Sequence, residues 1–351
     1  MKKQTNWSIF TICALVLISC KKEPIGTLDP VVEEVIISGT TWTSIAPDFV
    51  NTERVLAMSI QDDNLMTTYV KSNSLSALYN GSTMTETPQF VQAGINDGFE
   101  KIETLNGITY GLGYVGGKGL YQYDASLTSN PWISISNVSS DINGLAEFEG
   151  KKVVGCSNAP FIRVNSTSNS YTELGNGLNG EVHDVIVFNN KLIAAGNFSL
   201  SGSTTVSNIA QWNGVEWLPL ATGLNNLVRD LVIYNGKLIA LGQFTQAGGV
   251  SCPYVGVWDG TSWSTLGTGL SGGFMGGLTG LVLGNQLIIG GDFDAAGSIY
   301  SPNIIKWNGS SWESLGGGVQ DAIGEICIYH NQLYIANFFE ITGSNFLKRL
   351  D

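Results

Sequence analysis

The chain has 351 residues, with 17 Lys or Arg against 29 Asp or Glu and a formal net charge of −12. An acidic chain without a basic cluster lacks the cations that neutralise phosphates, which excludes a nucleic-acid binder. Only 13% of residues are charged and 44 are glycine, so turns are plentiful and uncharged Ser, Thr and Asn must cover much of the surface.

The N-terminus starts Met1-Lys2-Lys3, continues as a mostly apolar stretch from Trp7 to Leu17, and ends Leu17-Ile18-Ser19-Cys20. A basic start, a short apolar segment and a small residue before a cut are the parts of a secretory signal. The stretch is too short for a bilayer span, which takes about 20 apolar residues. Its Leu-x-Ser-Cys ending resembles the lipobox of bacterial lipoproteins, in which the cysteine is acylated and becomes the first residue of the mature chain. The resemblance implies a signal peptide over residues 1–19, a lipid on Cys20, and a protein held at the cell envelope on the outer membrane, facing the periplasm or the cell surface. Attachment by two or more acyl chains is lasting, since each buried methylene contributes about 0.8 kcal/mol. Losing Lys2 and Lys3 takes the net charge from −12 to −14. Residues 20–35, from Cys20 through Lys21-Lys22-Glu23-Pro24, read as a polar tether, and 36–351 as one domain.

Beyond the tether the chain reads as short strands. A faint unit spans Val55 to about Val91; a second runs from Ile102 through Asn106-Gly107 and Tyr121-Gln122-Tyr123 to Trp132. A third joins Ile142–Cys156 to Tyr171-Thr172-Glu173-Leu174. The next three are sharp. Trp212-Asn213-Gly214-Val215-Glu216-Trp217, Trp258-Asp259-Gly260-Thr261-Ser262-Trp263 and Trp307-Asn308-Gly309-Ser310-Ser311-Trp312 align, their first tryptophans 46 and then 49 residues apart. Leu192, Leu238 and Leu287 keep the same offsets, as do Phe198, Phe244 and Phe293, and Leu333 and Phe339 extend both series by 46.

In the clearest unit Asp184–Phe188 and Lys191–Gly196 form an apolar hairpin across Asn189-Asn190. After a longer loop, Asn208–Trp212 and Glu216–Leu220 form a second hairpin across Asn-Gly. Asn-Gly and Asp-Gly favour type I′ turns because both central residues need positive φ. They recur at Asn235-Gly236, Asn213-Gly214, Asp259-Gly260 and Asn308-Gly309. Four strands per 40–50 residues describe the blade of an all-β propeller. The last copy, from Ile323, ends after its third strand, and Trp42-Thr43-Ser44-Ile45 has the spacing of the missing fourth. Pairing the two ends would leave no open sheet edge. The count predicts seven four-stranded blades, one shared by the N- and C-terminal strands, in a monomeric ring, with six or eight blades as the alternatives because the early copies are faint.

Gly-x-Phe, a loop with Ala-Gly, then Asn-Ile-x-x-Trp-Asn-Gly-x-x-Trp-x-x-Leu-Gly resembles the kelch-related repeats of galactose-oxidase-type propellers, best over residues 181–351. The resemblance implies the propeller and little about function, because propellers host many functions. The copper-ligand tyrosine, histidine and cysteine set of galactose oxidase has no counterpart here, so that activity is not implied.

Tight turns should share one face of the ring and long connections, such as Ser199–Ser207, Thr245–Ser251, Gly269–Gly277 and Asp294–Ser301, the other. Binding residues gather on loops held by a scaffold, which points to the long-loop face. The first strand of each unit starts there and lines the channel, with Asp184, Asp230 and Glu325 at equivalent positions and Thr279 in the remaining one. His183 and Arg229 precede two of these acids. Such a ring could bind a cation or sugar hydroxyls, or supply an acid/base pair if burial separated the pKa values. Capping strand ends or holding channel water is the structural alternative. The repeated tryptophans read as core and the Trp258–Trp263 segment as a hairpin. Cys156, Cys252 and Cys327 are odd in number, without metal spacing. With only His183 and His330, no multi-histidine site is expected. No cofactor is expected.

The leading expectation is a non-enzymatic, membrane-anchored module binding glycan or protein through Asp184, Asp230, Glu325, His183 and Arg229. A carbohydrate-active hydrolase or lyase using Asp184, Asp230 or Glu325 is the alternative.

Overall fold

The structure is a computed structural model that describes residues 39–44, 54–61, 64–70, 75–79, 84–87, 99, 101–113, 119–124, 126–127, 132–136, 138–167, 169–338 and 347–351. The signal peptide, Cys20, the tether and the Phe339 marker lie outside them.

Every regular element among these residues is a β-strand, and no helix is long and apolar enough to cross a membrane. The strands form a β-propeller. Six four-stranded blades are contiguous in the chain: blade one over residues 54–87, two over 101–134, three over 142–173, four over 181–219, five over 228–265 and six over 276–314. A further four-stranded sheet is composite. Ile323–Tyr329, Gln332–Asn337 and Leu347–Leu350 are joined there by Trp42–Ser44 from the other end of the chain. Trp42 pairs with Leu350 and Ser44 with Lys348, and Thr40 and Asp351 add backbone bonds around this seam.

The core lies between blades. Leu192, Leu238, Leu287 and Leu333 are fully buried, as are Phe244 and Phe293, which explains their fixed register. The tryptophans form pairs at 5.4, 5.3 and 5.0 Å in blades four, five and six. Trp217 Nε1 donates to Leu174 O and Trp263 Nε1 to Leu220 O, each hooking an outer strand to the connection before its blade. Their repetition therefore reflects blade-to-blade packing. All three described cysteines are buried free thiols, and burial pushes Cys156 up to about 11.

In blades four and five the two hairpins turn differently, and the outer turn of blade six follows theirs, which corrects one expectation. Asn235-Gly236 and Asn189-Asn190 have positive φ at both positions, as type I′ requires. In Trp212–Trp217, Trp258–Trp263 and Trp307–Trp312 only the glycine does. The tryptophans pair directly, leaving four-residue loops in which the Asn or Asp works through its side chain. Asp259 Oδ1 accepts from the backbone N–H groups of Thr261 and Ser262 at 2.8 and 2.9 Å, and Asn213 and Asn308 repeat the pattern. These bonds, that from Ser262 foremost, hold the Asp259 carboxyl well below the usual carboxylate range.

The long loops on the opposite face are also built. Those of blades four, five and six contain miniature hairpins, 200–205, 246–251 and 295–300. Asn179 Oδ1 accepts from Ser199 N and Leu200 N, and Asn225 Oδ1 from Thr245 N and Gln246 N, fixing two of them to the incoming connections.

Candidate functional site at the channel mouth

The inner strands of blades three to six, Ile142–Phe148, Glu181–Phe188, Val228–Tyr234 and Gly276–Leu283, share an irregularity with Ile323–Tyr329. Register slips by one residue near the start of each, as it also does in blade one. A one-residue bulge leaves its extra residue unpaired and re-aims the neighbouring side chains. The extra residues are Asn143, His183, Arg229, Leu278 and Gly324, and Gly144, Asp184, Asp230, Thr279 and Glu325 follow them. The equivalence of Asp184, Asp230, Thr279 and Glu325 is thus real, each opposing a residue of the second strand: Ala195, Leu241, Gly290 and Ala336.

An inner strand turns one edge of backbone groups toward the channel, and these need partners. Asp184 Oδ2 accepts from Leu231 N of blade five at 2.9 Å, and Asp230 Oδ2 from Gly280 N of blade six at 2.9 Å. On the other side, Asn143 Nδ2 donates to Val182 O of blade four at 3.0 Å and to Ser157 Oγ at 2.9 Å. Lys101 Nζ of blade two donates to Asn143 O at 3.2 Å and lies 2.8 Å from Glu103 Oε1 and 3.7 Å from Asp184 Oδ1. Blades two to six are therefore stitched in sequence at the mouth. In blade three the equivalent of the acid is Gly144, where a Cβ would sit 2.9 Å from Asp184 Cα.

The acids do not form one open ring. Asp184 is 0% exposed and is directed into the next blade, while Asp230 is 5% exposed. Four of the five expected site residues, His183, Arg229, Asp230 and Glu325, line a channel cavity of about 240 Å³ together with Thr279. Lys101, Glu103 and Asn143 also line it; sequence reasoning missed them because blade two lacks the bulge and blade three carries glycine in place of the acid. Leu105, Leu145, Ile186 and Leu281 belong to its apolar part.

Burial, and then the neighbouring Arg229 guanidinium, lower the His183 imidazole to about 4. It is neutral at pH 7, so its 3.8 Å approach to Glu181 is not an ion pair there. Burial likewise lowers Arg229, Glu181 opposing it. Arg229 Nε is buried and has no hydrogen-bond acceptor among the described residues.

No family model matches the chain, and no curated protein matches its sequence. Solved structures do match. YCF48 from Cyanidioschyzon merolae has a TM-score of 0.52 at 11% identity, over 88% of this chain and 98% of that one. YCF48 bound to D1 peptide has 0.54 at 12%, over 89% and 99%. The extracellular domain of a hybrid two-component system from B. thetaiotaomicron has 0.56 at 12%, over 89% of this chain and 39% of that one. These comparisons show a shared fold. The kelch-related resemblance rests on the repeat residues alone.

Proposed function

We propose that the protein is a lipid-anchored module of the cell envelope that binds a ligand at the long-loop mouth of a closed, seven-bladed ring. The composite sheet serves as the seventh blade, since its inner strand lies beside those of blades six and one. Cys20 carries the lipid, residues 20–35 act as the tether, and the domain works as a monomer on the outer membrane. The observation that carries the binding role is the division of labour at the mouth. Asp184 is taken up in holding blades together, Asp230 does the same through one oxygen while also lining the cavity, and His183, Arg229 and Glu325 face it as well. Asp184 is fully enclosed, which removes one of the three acids that a hydrolase or lyase would use.

A protein segment suits the site better than a glycan. A peptide can place an apolar side chain against the apolar part of the channel, gaining about 25 cal/mol per Å² buried, while its polar end meets the charged residues of the same cavity. Phe274 and Tyr300, 80% and 71% exposed on the long-loop face of blade six, offer further contact. A propeller of this fold, YCF48, is described bound to a peptide. The test is a peptide and glycan array probed with the domain from residue 36 onward, each hit then assayed for breakdown products. A peptide hit without products supports the reading. Products, or binding insensitive to Glu325→Gln and Arg229→Gln, oppose it.

A further inference from the structure

Arg229 has no evident structural task. It is the bulge residue of blade five, it lines the channel, and its buried Nε meets no acceptor among the described residues. Buried cations in folded proteins are paired, because leaving water without a partner is costly. Of the neighbouring acids, Glu181 acts on Arg229 electrostatically but is half-exposed and does not accept from its Nε, and others have commitments elsewhere: Asp184 to Leu231 N and Lys101, Glu103 to Lys101, and Asp230 to Gly280 N.

We infer that Arg229 receives the carboxylate of a ligand whose apolar body enters the channel. The inference rests on the proposal that the mouth is the binding site and names the chemistry it recognises. A guanidinium presents a planar fork that matches a carboxylate. Beneath it, Leu105, Leu145, Ile186 and Leu281 accept an apolar group, and 240 Å³ holds a terminal residue rather than a long segment. Glu325, which lines the same cavity, repels a second negative charge, so the site selects a monocarboxylate over a phosphate or sulfate. A peptide C-terminus with an apolar last residue and a small free acid share this chemistry.

Calorimetry with the full chain in detergent tests it, using three probes: a tripeptide ending in leucine with a free carboxylate, the same tripeptide amidated, and hexanoate. The free acid binds about tenfold or more tightly than the amide, the scale of one charge-assisted hydrogen bond. Arg229→Gln removes that preference, and Arg229→Lys keeps part of it, with melting temperatures confirming that both variants fold. Hexanoate matching the peptide identifies a small acid as the source; binding of the peptide acid alone identifies a chain terminus. Equal binding of acid and amide, an unchanged preference in Arg229→Gln, or no binding of any probe overturns the inference. If array hits at the mouth are neutral and still weakened by Glu325→Gln, the inference falls and the proposed function stands.

Discussion

Ala221 has φ +53°, in a turn where the equivalent residues are Gly175, Gly267 and Gly316, all with positive φ. At Gly175 and Gly267 a Cβ would also press on a tryptophan ring. Left-handed backbone costs a non-glycine residue roughly 1–2 kcal/mol, partly offset by glycine's greater freedom when unfolded. Ala221→Gly should therefore raise unfolding stability by about 1 kcal/mol, read by denaturant titration. His183 gives a prediction in pH. Its folded-state value of about 4 lies below the unfolded 6.5, so the unfolded chain binds more protons between them. Its stabilising contribution is complete above the unfolded value and is lost as pH falls from about 6.5 to about 4, by up to about 3 kcal/mol. Unfolding curves across that range should flatten in His183→Gln.

At the level of strands, the inner-edge bonds explain why an acid recurs after the bulge. Asp184→Ala removes the acceptor for Leu231 N and a charge facing Lys101, so it should cost about 2 kcal/mol or more. Asp184→Asn, which keeps an acceptor, should cost less. The sequence showed that these acids occupy equivalent places, because repeat spacing records strand position. It could not show where they turn. A one-residue bulge has no residue-type signature, and the direction of Asp184 depends on a backbone N–H 47 positions away. Turn chemistry was half legible in the same way. Asn213, Asp259 and Asn308 mark turns in sequence, but only the folded backbone separates a side-chain acceptor from a positive-φ residue.

Across the whole molecule, the tryptophan, leucine and phenylalanine series made blades four to six legible, because each residue fills a slot between blades. Blades one to three keep the strand order with few of those markers, so the pattern was faint there. The seam between Trp42–Ser44 and Leu347–Leu350 was legible from the incomplete last unit. Removing residues 347–351 should lower stability by roughly 3–6 kcal/mol, since Leu347 and Leu350 are both buried and each contributes about 1.5–3 kcal/mol. That is a large share of the margin of a typical domain, and urea titration would show it. The proposed lipid anchor is tested separately: if Cys20 carries it, Cys20→Ser should move the protein from the membrane fraction to the soluble one.

The most direct measurement of the central claim is ligand binding by the wild-type protein beside the Arg229→Gln and Glu325→Gln variants, with the peptide and glycan array as the source of ligands. Peptide binding that is weakened at least several-fold by both substitutions, in variants with wild-type melting temperatures, is the predicted result. Ligands bound equally well by all three proteins would contradict a site at the channel mouth.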